Sequence, residues 1–229
     1  MLLLLDTADV RAIARAIDLF PIAGVTTNPT LIARERRPLG PLLDEIRAIL
    51  GAGAMLHAQV VAPDAETMVT EAERLRDRLG AGFHPKVPVT AQGLKAIRRL
   101  ADAGFAPTAT AVVTPLQALI AARAGAAFVA PYVNRVDAIG GDGVRVVADI
   151  VRLFDTHHLP TRLLTASFKS AQQVLGVALA GAHTATLAPD LLDTLLAHPL
   201  TDAGVEGFLA DWAGAYGPAT TVLDLLPGD

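Results

Sequence analysis

The sequence predicts a (β/α)8 barrel, one α/β domain over residues 1–229 with an extra helical segment at about 201–217. Strand-like and helix-like stretches alternate eight times, with strand starts near 2, 22, 55, 83, 106, 126, 161 and 183. That is the pattern of βα units closing a parallel sheet. The chain is 52% apolar but only 4% aromatic, so its core is built from Ala, Leu, Val and Ile, small enough for helices to sit close on a sheet. A doubly wound open sheet is the rival arrangement, and eight units of this size favour closure.

In order, residues 2–5 read as a buried strand ending at Asp6, and Val10, Ile13, Ala14 and Ile17 recur at helical spacing. A second strand, 22–26, runs into Thr27-Asn28-Pro29-Thr30, where the proline suits a helix start. Leu42, Ile46 and Ile49 continue that helix to Gly51. Strand 55–60 precedes a helix whose apolar stripe is Ala65, Met68, Ala72, Leu75 and Leu79. Strand 83–89 ends at Thr90, a candidate N-cap for the helix through Leu94, Ile97 and Leu100. Strand 106–113 leads to a helix opened by Thr114-Pro115, and strand 125–133 to a polar, glycine-rich loop, 134–143, before a helix through Phe154. Strand 161–167 is followed by helix 170–179, and strand 183–187 by helix 189–196. An amphipathic segment, 201–216, and a last turn, 222–227, close the chain.

Composition excludes several classes. Mean hydropathy is +0.43, yet every apolar run is broken well before the ~20 residues of a spanning helix, so no membrane partner is expected. The opening Met1–Leu5 run meets Asp6 without a basic flank, unlike a signal peptide. A net charge of −4 with no basic tract argues against nucleic acid. The absence of cysteine removes thiolate metal sites and cysteine nucleophiles, and it fits a cytoplasmic protein.

The chemistry centres on 84–90, His-Pro-Lys-Val-Pro-Val-Thr, one of only three lysine sites in the chain. Lys86 sits in an apolar, strand-like run. It is either a strand-end lysine snorkelling to water or a desolvated amine with a lowered pKa, usable as nucleophile or base. The surrounding strands bear on that choice. Asp6, Thr26, Gln59, Lys86, Thr110, Tyr132 and Ser167 each stand near a strand end, where barrels of this type place their chemistry. Leu4 and Asp6, His57 and Gln59, Ala130 and Tyr132, and Thr165 and Ser167 pair up on alternating positions. Single strand-end polar residues usually satisfy loop backbone; seven in register, one of them the lysine, favour an active site.

A neutral Lys86 would attack a ketone or aldehyde and form a Schiff base, an electron sink for carbon–carbon cleavage or formation. Asp6 is the natural carboxylate to accept the substrate hydroxyl proton, and Thr110, Gln59 and Tyr132 can hold a water for the carbinolamine steps. Asn28 can orient substrate hydroxyls or the amine. Arg135 with Ser167, and the backbone amides after it, can hold a phosphate. Lys169 is either a further phosphate ligand or a plain helix-start lysine. The histidines show no metal-ligand spacing and read as surface or capping residues, and Gly140-Gly141-Asp142-Gly143 lacks the GK[ST] of a phosphate loop.

At these residues the chain resembles the small transaldolase family, its fructose-6-phosphate aldolase branch in particular. The matching pieces are Leu5-Asp6-Thr7, 24–29 (Gly-Val-Thr-Thr-Asn-Pro), Ala58-Gln59-Val60, 86–90 (Lys-Val-Pro-Val-Thr), Thr110-Ala111-Val112, 130–135 (Ala-Pro-Tyr-Val-Asn-Arg) and 166–169 (Ala-Ser-Phe-Lys). The resemblance implies a (β/α)8 barrel with Lys86 as Schiff-base lysine and Asp6 as carbon–carbon acid/base. It further implies a water held by Gln59, Thr110 and Tyr132, and phosphate contacts from Arg135 and Ser167. Thr26 and Asn28 join the substrate site. No metal or organic cofactor is implied. The implied partners are sugar and sugar-phosphate substrates and other copies of the chain, as a homo-oligomer, pentamer or decamer, with the C-terminal helix reaching a neighbour. Gln59 and Tyr132 are the aldolase-like pair, where transaldolases carry glutamate and phenylalanine. The expected reaction is therefore class I aldol cleavage or formation of fructose 6-phosphate or related ketoses. Transfer of a dihydroxyacetone unit between sugar phosphates is the alternative, and a non-catalytic sugar-phosphate-binding barrel the third reading. Two departures stand out: His84-Pro85 replaces the usual aliphatic pair before the lysine, and Val113-Thr114-Pro115 follows Thr110-Ala111-Val112.

Overall fold

Eight parallel strands close into a barrel in chain order, β1-β2-β3-β4-β5-β6-β7-β8, in the computed structural model, which describes residues 1–226. The strands are β1 (Leu2–Asp6), β2 (Ile22–Thr26), β3 (Met55–Gln59), β4 (Phe83–Pro88), β5 (Thr108–Val112), β6 (Phe128–Pro131), β7 (Arg162–Thr165) and β8 (Thr184–Leu187). Between them run α1 (Val10–Leu19), α2 (Pro29–Glu35), α3 (Leu39–Leu50), α4 (Ala65–Leu79), α5 (Ala91–Asp102), α6 (Pro115–Arg123), α7 (Val133–Asp137), α8 (Gly143–Thr156) and α9 (Ala171–Leu179). After β8 come α10 (Pro189–Leu196), α11 (Pro199–Tyr216) and α12 (Val222–Leu225).

The helices start where the sequence places cap residues. Asp9, Asn28, Asp64, Thr90, Thr114, Asp142 and Ser170 each accept a backbone N–H from the first turn of the following helix. Thr114 and Gln117 form a reciprocal capping box, with Pro115 in the first turn. Helix faces bury Ile13, Leu42, Leu43, Ile46, Ile97, Leu100 and Ile150 against the outer face of the barrel, each about 1% exposed or less. At ~1.5–3 kcal/mol per buried aliphatic side chain, this layer is the main favourable term.

The inward face is different in kind. Leu4, Phe128 and Leu164 cluster inside the barrel with Met55 and Ala23. Above them lie stacked His57 and His84, 4.6 Å apart, both edge-on to Phe128 at 5.1 Å. Above that layer the inward residues are hydroxyls, the amine of Lys86 and the carboxylate of Asp6. The register places Gln59 beside Lys86, Lys86 beside Thr108, and Asp6 beside Thr26.

Four expectations are corrected. The helix expected to run from Pro29 to Gly51 is two helices, because Arg36 adopts a left-handed conformation (φ 51°) and Pro38 follows. Strand 125–133 is shorter: β6 ends at Pro131, Tyr132 makes a single bridge to Ala166, and α7 occupies part of the expected loop because Val133 and Val136 are buried at helical spacing. Ser167 does not reach the site by strand alternation. Leu164 points inward, so the inward parity of β7 is 164 and 166, and Ser167 follows in a left-handed turn (φ 64°). His57 and His84 are neither surface nor capping residues but barrel interior, whereas His198 does cap α11.

The described residues divide into two compact units, Met1–Leu192 and the segment from Asp193 onward. In the second, α11 begins at Pro199, two residues before the expected start, and Trp212 Nε1 donates to Thr220 O at 2.7 Å. Val222 to Leu225 of the expected last turn is helical, and Pro227 lies outside the described residues.

Gly93 shows how tightly α5 is seated on the end of β4. A Cβ there would collide with the carbonyl of Pro88. Gly93→Ala is expected to cost at least ~2 kcal/mol, measured as a lower urea midpoint at unchanged slope, while Gly104→Ala, which meets nothing but has φ 78°, should cost about 1 kcal/mol.

Candidate active site

Lys86 projects from β4 into the C-terminal mouth and is only 4% exposed. Its Nζ donates to the backbone carbonyl of Thr27 at 2.8 Å. Burial lowers the pKa of the amine, and the negative charge of Asp6 opposes that shift in part. The reading of Lys86 as a snorkelling surface lysine is therefore set aside by its burial.

Asp6 closes the end of β1. Its Oδ1 accepts from Thr26 Oγ1 at 2.6 Å, and Thr26 Oγ1 lies 2.8 Å from Thr186 Oγ1. The Thr26 hydroxyl, itself held by Thr186, thus fixes one carboxylate oxygen of a residue that lines the mouth. Across the barrel, Thr110 Oγ1 lies 2.9 Å from the Tyr132 hydroxyl, and the Arg135 guanidinium lies 4.5 Å from the Tyr132 ring centroid. Both Thr110 and Ser167 border strained backbone: Ala111 (φ 60°) and Ser167 itself are non-glycine residues in the left-handed region at strand ends.

One cavity of about 290 Å³ gathers Asp6, Asn28, Lys86, Tyr132, Arg135 and Ser167, together with Arg34, Lys169 and Thr186. Thr26 and Thr110 stand one layer deeper, each bonded to a residue that lines it. Gln59 lines a neighbouring, largely apolar cavity of about 360 Å³ that shares Asn28 with the first. Asn28 accepts the Leu31 N–H on its carbonyl oxygen as the cap of α2, which fixes the side chain at the edge shared by the two cavities. The amide of Lys169, one of those after Ser167, is taken by Gln173 Oε1 at 2.7 Å.

Sequence reading missed Thr186, Arg34 and the carbonyl of Thr27. Thr186 carried a signal: Thr184 and Thr186 alternate on β8 as the other polar residues do. Arg34 had none, since a helical arginine is ordinarily solvent-facing. With Arg34, Arg135 and Lys169 against the single carboxylate of Asp6, the mouth has a positive excess that suits an anionic substrate.

Residues 3–218 match the sequence model of the family Transaldolase/Fructose-6-phosphate aldolase. Among solved structures, dihydrodipicolinate synthase from Rhodopseudomonas palustris matches at TM-score 0.60 and 16% identity, over 94% of this chain and 79% of its own. A structure described as native KDPGal matches at TM-score 0.57 and 18% identity, over 83% of this chain and 82% of its own. At such identities these two show a shared fold.

The buried amine also predicts a pH signature. An unfolded lysine holds its proton up to about 10.5, whereas folded Lys86 releases it earlier. Between the two values the unfolded state binds more protons, so this group makes stability rise with pH. Lys86→Met should therefore be more stable than the parent near neutral pH, the gap narrowing as pH approaches 10.5. A pH-independent gap in urea titrations would show an amine that is charged and solvated when folded.

Proposed function

Because the chain belongs to the transaldolase/fructose-6-phosphate aldolase family, an enzyme group of aldolase-type chemistry, we propose that it is a class I aldolase that cleaves and forms the C3–C4 bond of fructose 6-phosphate or a related ketose. The observation that carries this reading is the buried Lys86 amine, oriented on Thr27 O at 2.8 Å in one cavity with Asp6.

The Lys86 Nζ lone pair attacks the C2 carbonyl, and loss of water from the carbinolamine leaves a cationic imine. A water held by the paired Thr110 and Tyr132 hydroxyls, with Gln59 reaching it from the neighbouring cavity, shuttles the protons of that step. Asp6 Oδ2 takes the proton of the C4 hydroxyl, the C3–C4 electron pair moves into the imine, and glyceraldehyde 3-phosphate leaves as the new carbonyl compound. Protonation of the enamine at C3 and hydrolysis release dihydroxyacetone and regenerate the amine. Thr26 fixes the Asp6 carboxylate, Asn28 orients substrate hydroxyls, and Arg135 with Ser167 takes the phosphate. No step calls for a metal or an organic cofactor.

Gln59 favours cleavage over transfer. An amide and a phenol hold water without a second carboxylate beside the enamine, so hydrolysis competes with capture by another aldehyde. Transfer to a second sugar phosphate uses the same enamine and is the alternative outcome. No helix among the described residues is long and apolar enough to cross a membrane. The same proposal places a homo-oligomer, pentamer or decamer, in the cytoplasm.

Borohydride in the presence of fructose 6-phosphate or dihydroxyacetone should fix a three-carbon adduct on Lys86, located by mass spectrometry. Absence of any adduct would remove the Schiff-base reading in favour of a binding barrel. Lys86→Arg, which keeps the charge and loses the nucleophile, should lower turnover by at least about 10³-fold, and Asp6→Asn by about 10²–10³-fold. Gln59→Glu should raise the ratio of transfer onto erythrose 4-phosphate to release of free dihydroxyacetone. An unchanged ratio would remove the basis for preferring the aldolase.

A further inference from the structure

Lys86 follows a proline, and in a central strand a proline leaves one ladder position without its donor. In β4 the carbonyls of Gly82 and Lys86 accept from Leu56 and Val60, so the even-numbered residues of this strand bond to β3. The odd-numbered residues face β5, where Val89 N–H donates to Thr110 O at 3.0 Å. Stepping back by twos in the same parallel register, the N–H of residue 85 would fall on the carbonyl of Ala106. Pro85 has no such N–H. That carbonyl instead accepts from the ring of the preceding residue: His84 Nδ1 lies 3.0 Å from Ala106 O. A carbonyl can only accept, so Nδ1 carries the proton.

The ring that fills this rung is itself held. It stacks on His57, and both rings abut Phe128 edge-on. His57 Nδ1 lies 2.8 Å from the Oγ1 of Thr108, the residue paired with Lys86 across the β4–β5 ladder. The stack therefore ties β3, β4, β5 and β6 together directly beneath the amine. Burial disfavours the charged form of both imidazoles, so the floor under Lys86 stays neutral.

We propose that His84 is a positioning residue: its imidazole replaces the main-chain donor that Pro85 lacks, holding β4 against β5 at the residue before Lys86 and so keeping the amine in its dry seat. The consequence for turnover rests on the Schiff-base reading above; the consequence for the amine does not. Without that bond, Ala106 O is left short of a donor, the rung opens, and water reaches Nζ.

The test is the pH dependence of Lys86 acylation by a small anhydride, followed by mass spectrometry, in the parent, His84→Leu, Pro85→Val and the double variant. The charged and titratable groups around the amine are Asp6 from β1, His57 from β3, His84 from β4 and Tyr132 after β6. Arg34, Arg135 and Lys169 stand at the mouth, and Arg47 faces His84 from α3. All but His84 are common to the four proteins. His84→Leu should raise the half-reaction pH by about half a unit or more as the amine becomes solvated. Adding Pro85→Val supplies a main-chain N–H to the same carbonyl and should return it to within about 0.2 unit of the parent. Cleavage kcat should fall about tenfold and recover in parallel, with KM moving less than about twofold. A parental profile in His84→Leu, or a double variant no better than the single, overturns the proposal. If His84→Leu does not fold, refolding of the double variant supports it and failure to refold overturns it. Acylation needs no substrate, so an amine that responds as described but traps no ketose defeats the Schiff-base reading alone.

Discussion

Everything in this molecule turns on taking one ammonium group out of water. An amine inside a closed barrel, with a backbone carbonyl as its hydrogen-bond partner and a single carboxylate nearby, is held partly towards its neutral form. That costs folding free energy. The apolar layer between helices and strands offsets it, with Leu42, Ile46, Ile97 and Leu100 fully buried. The interior is thus divided: packing outside the sheet supplies stability, and the upper half of the barrel lumen gathers the hydroxyls, the amine and the carboxylate.

The polar groups of the lumen are arranged so that few are left unpartnered. Asp6 is oriented by Thr26, and Thr26 by Thr186; Thr110 pairs with Tyr132, and Thr108 with His57. Among the described residues, His57 Nε2 is the one inward-facing side-chain atom of that layer that is buried with no partner. It belongs to the same ring stack whose other member, His84, supplies the donor that Pro85 withholds. An aliphatic residue before Pro85 would leave Ala106 O without that donor, which gives the His84-Pro85 dipeptide a physical meaning.

The mouth adds a charge pattern to this frame. Arg34 from α2, Arg135 from α7 and Lys169 after β7 converge on a cavity with one acid, Asp6, already committed to Thr26. Such a field attracts an anionic group more strongly than a neutral one. The neighbouring apolar cavity, with Gln59 on its wall, is of a different character and meets the first at Asn28.

The sequence by itself determined the barrel and the lysine. Strand and helix periods, cap residues and strand-end polar residues are local, and most of the eight strands repeat them. It was less able to say how side chains reach the mouth. Ser167 arrives by a left-handed turn, Arg135 on a short helix read as loop, and Gln59 faces a second cavity. Arg34 enters from the last turn of α2, which left-handed Arg36 ends. Those outcomes depend on non-local register, on which carbonyl lies opposite which donor across the barrel. The burial of His57 and the bond from His84 to Ala106 O are of that kind. Periodicity fixes which face a residue takes; only closure of the sheet decides what stands opposite it.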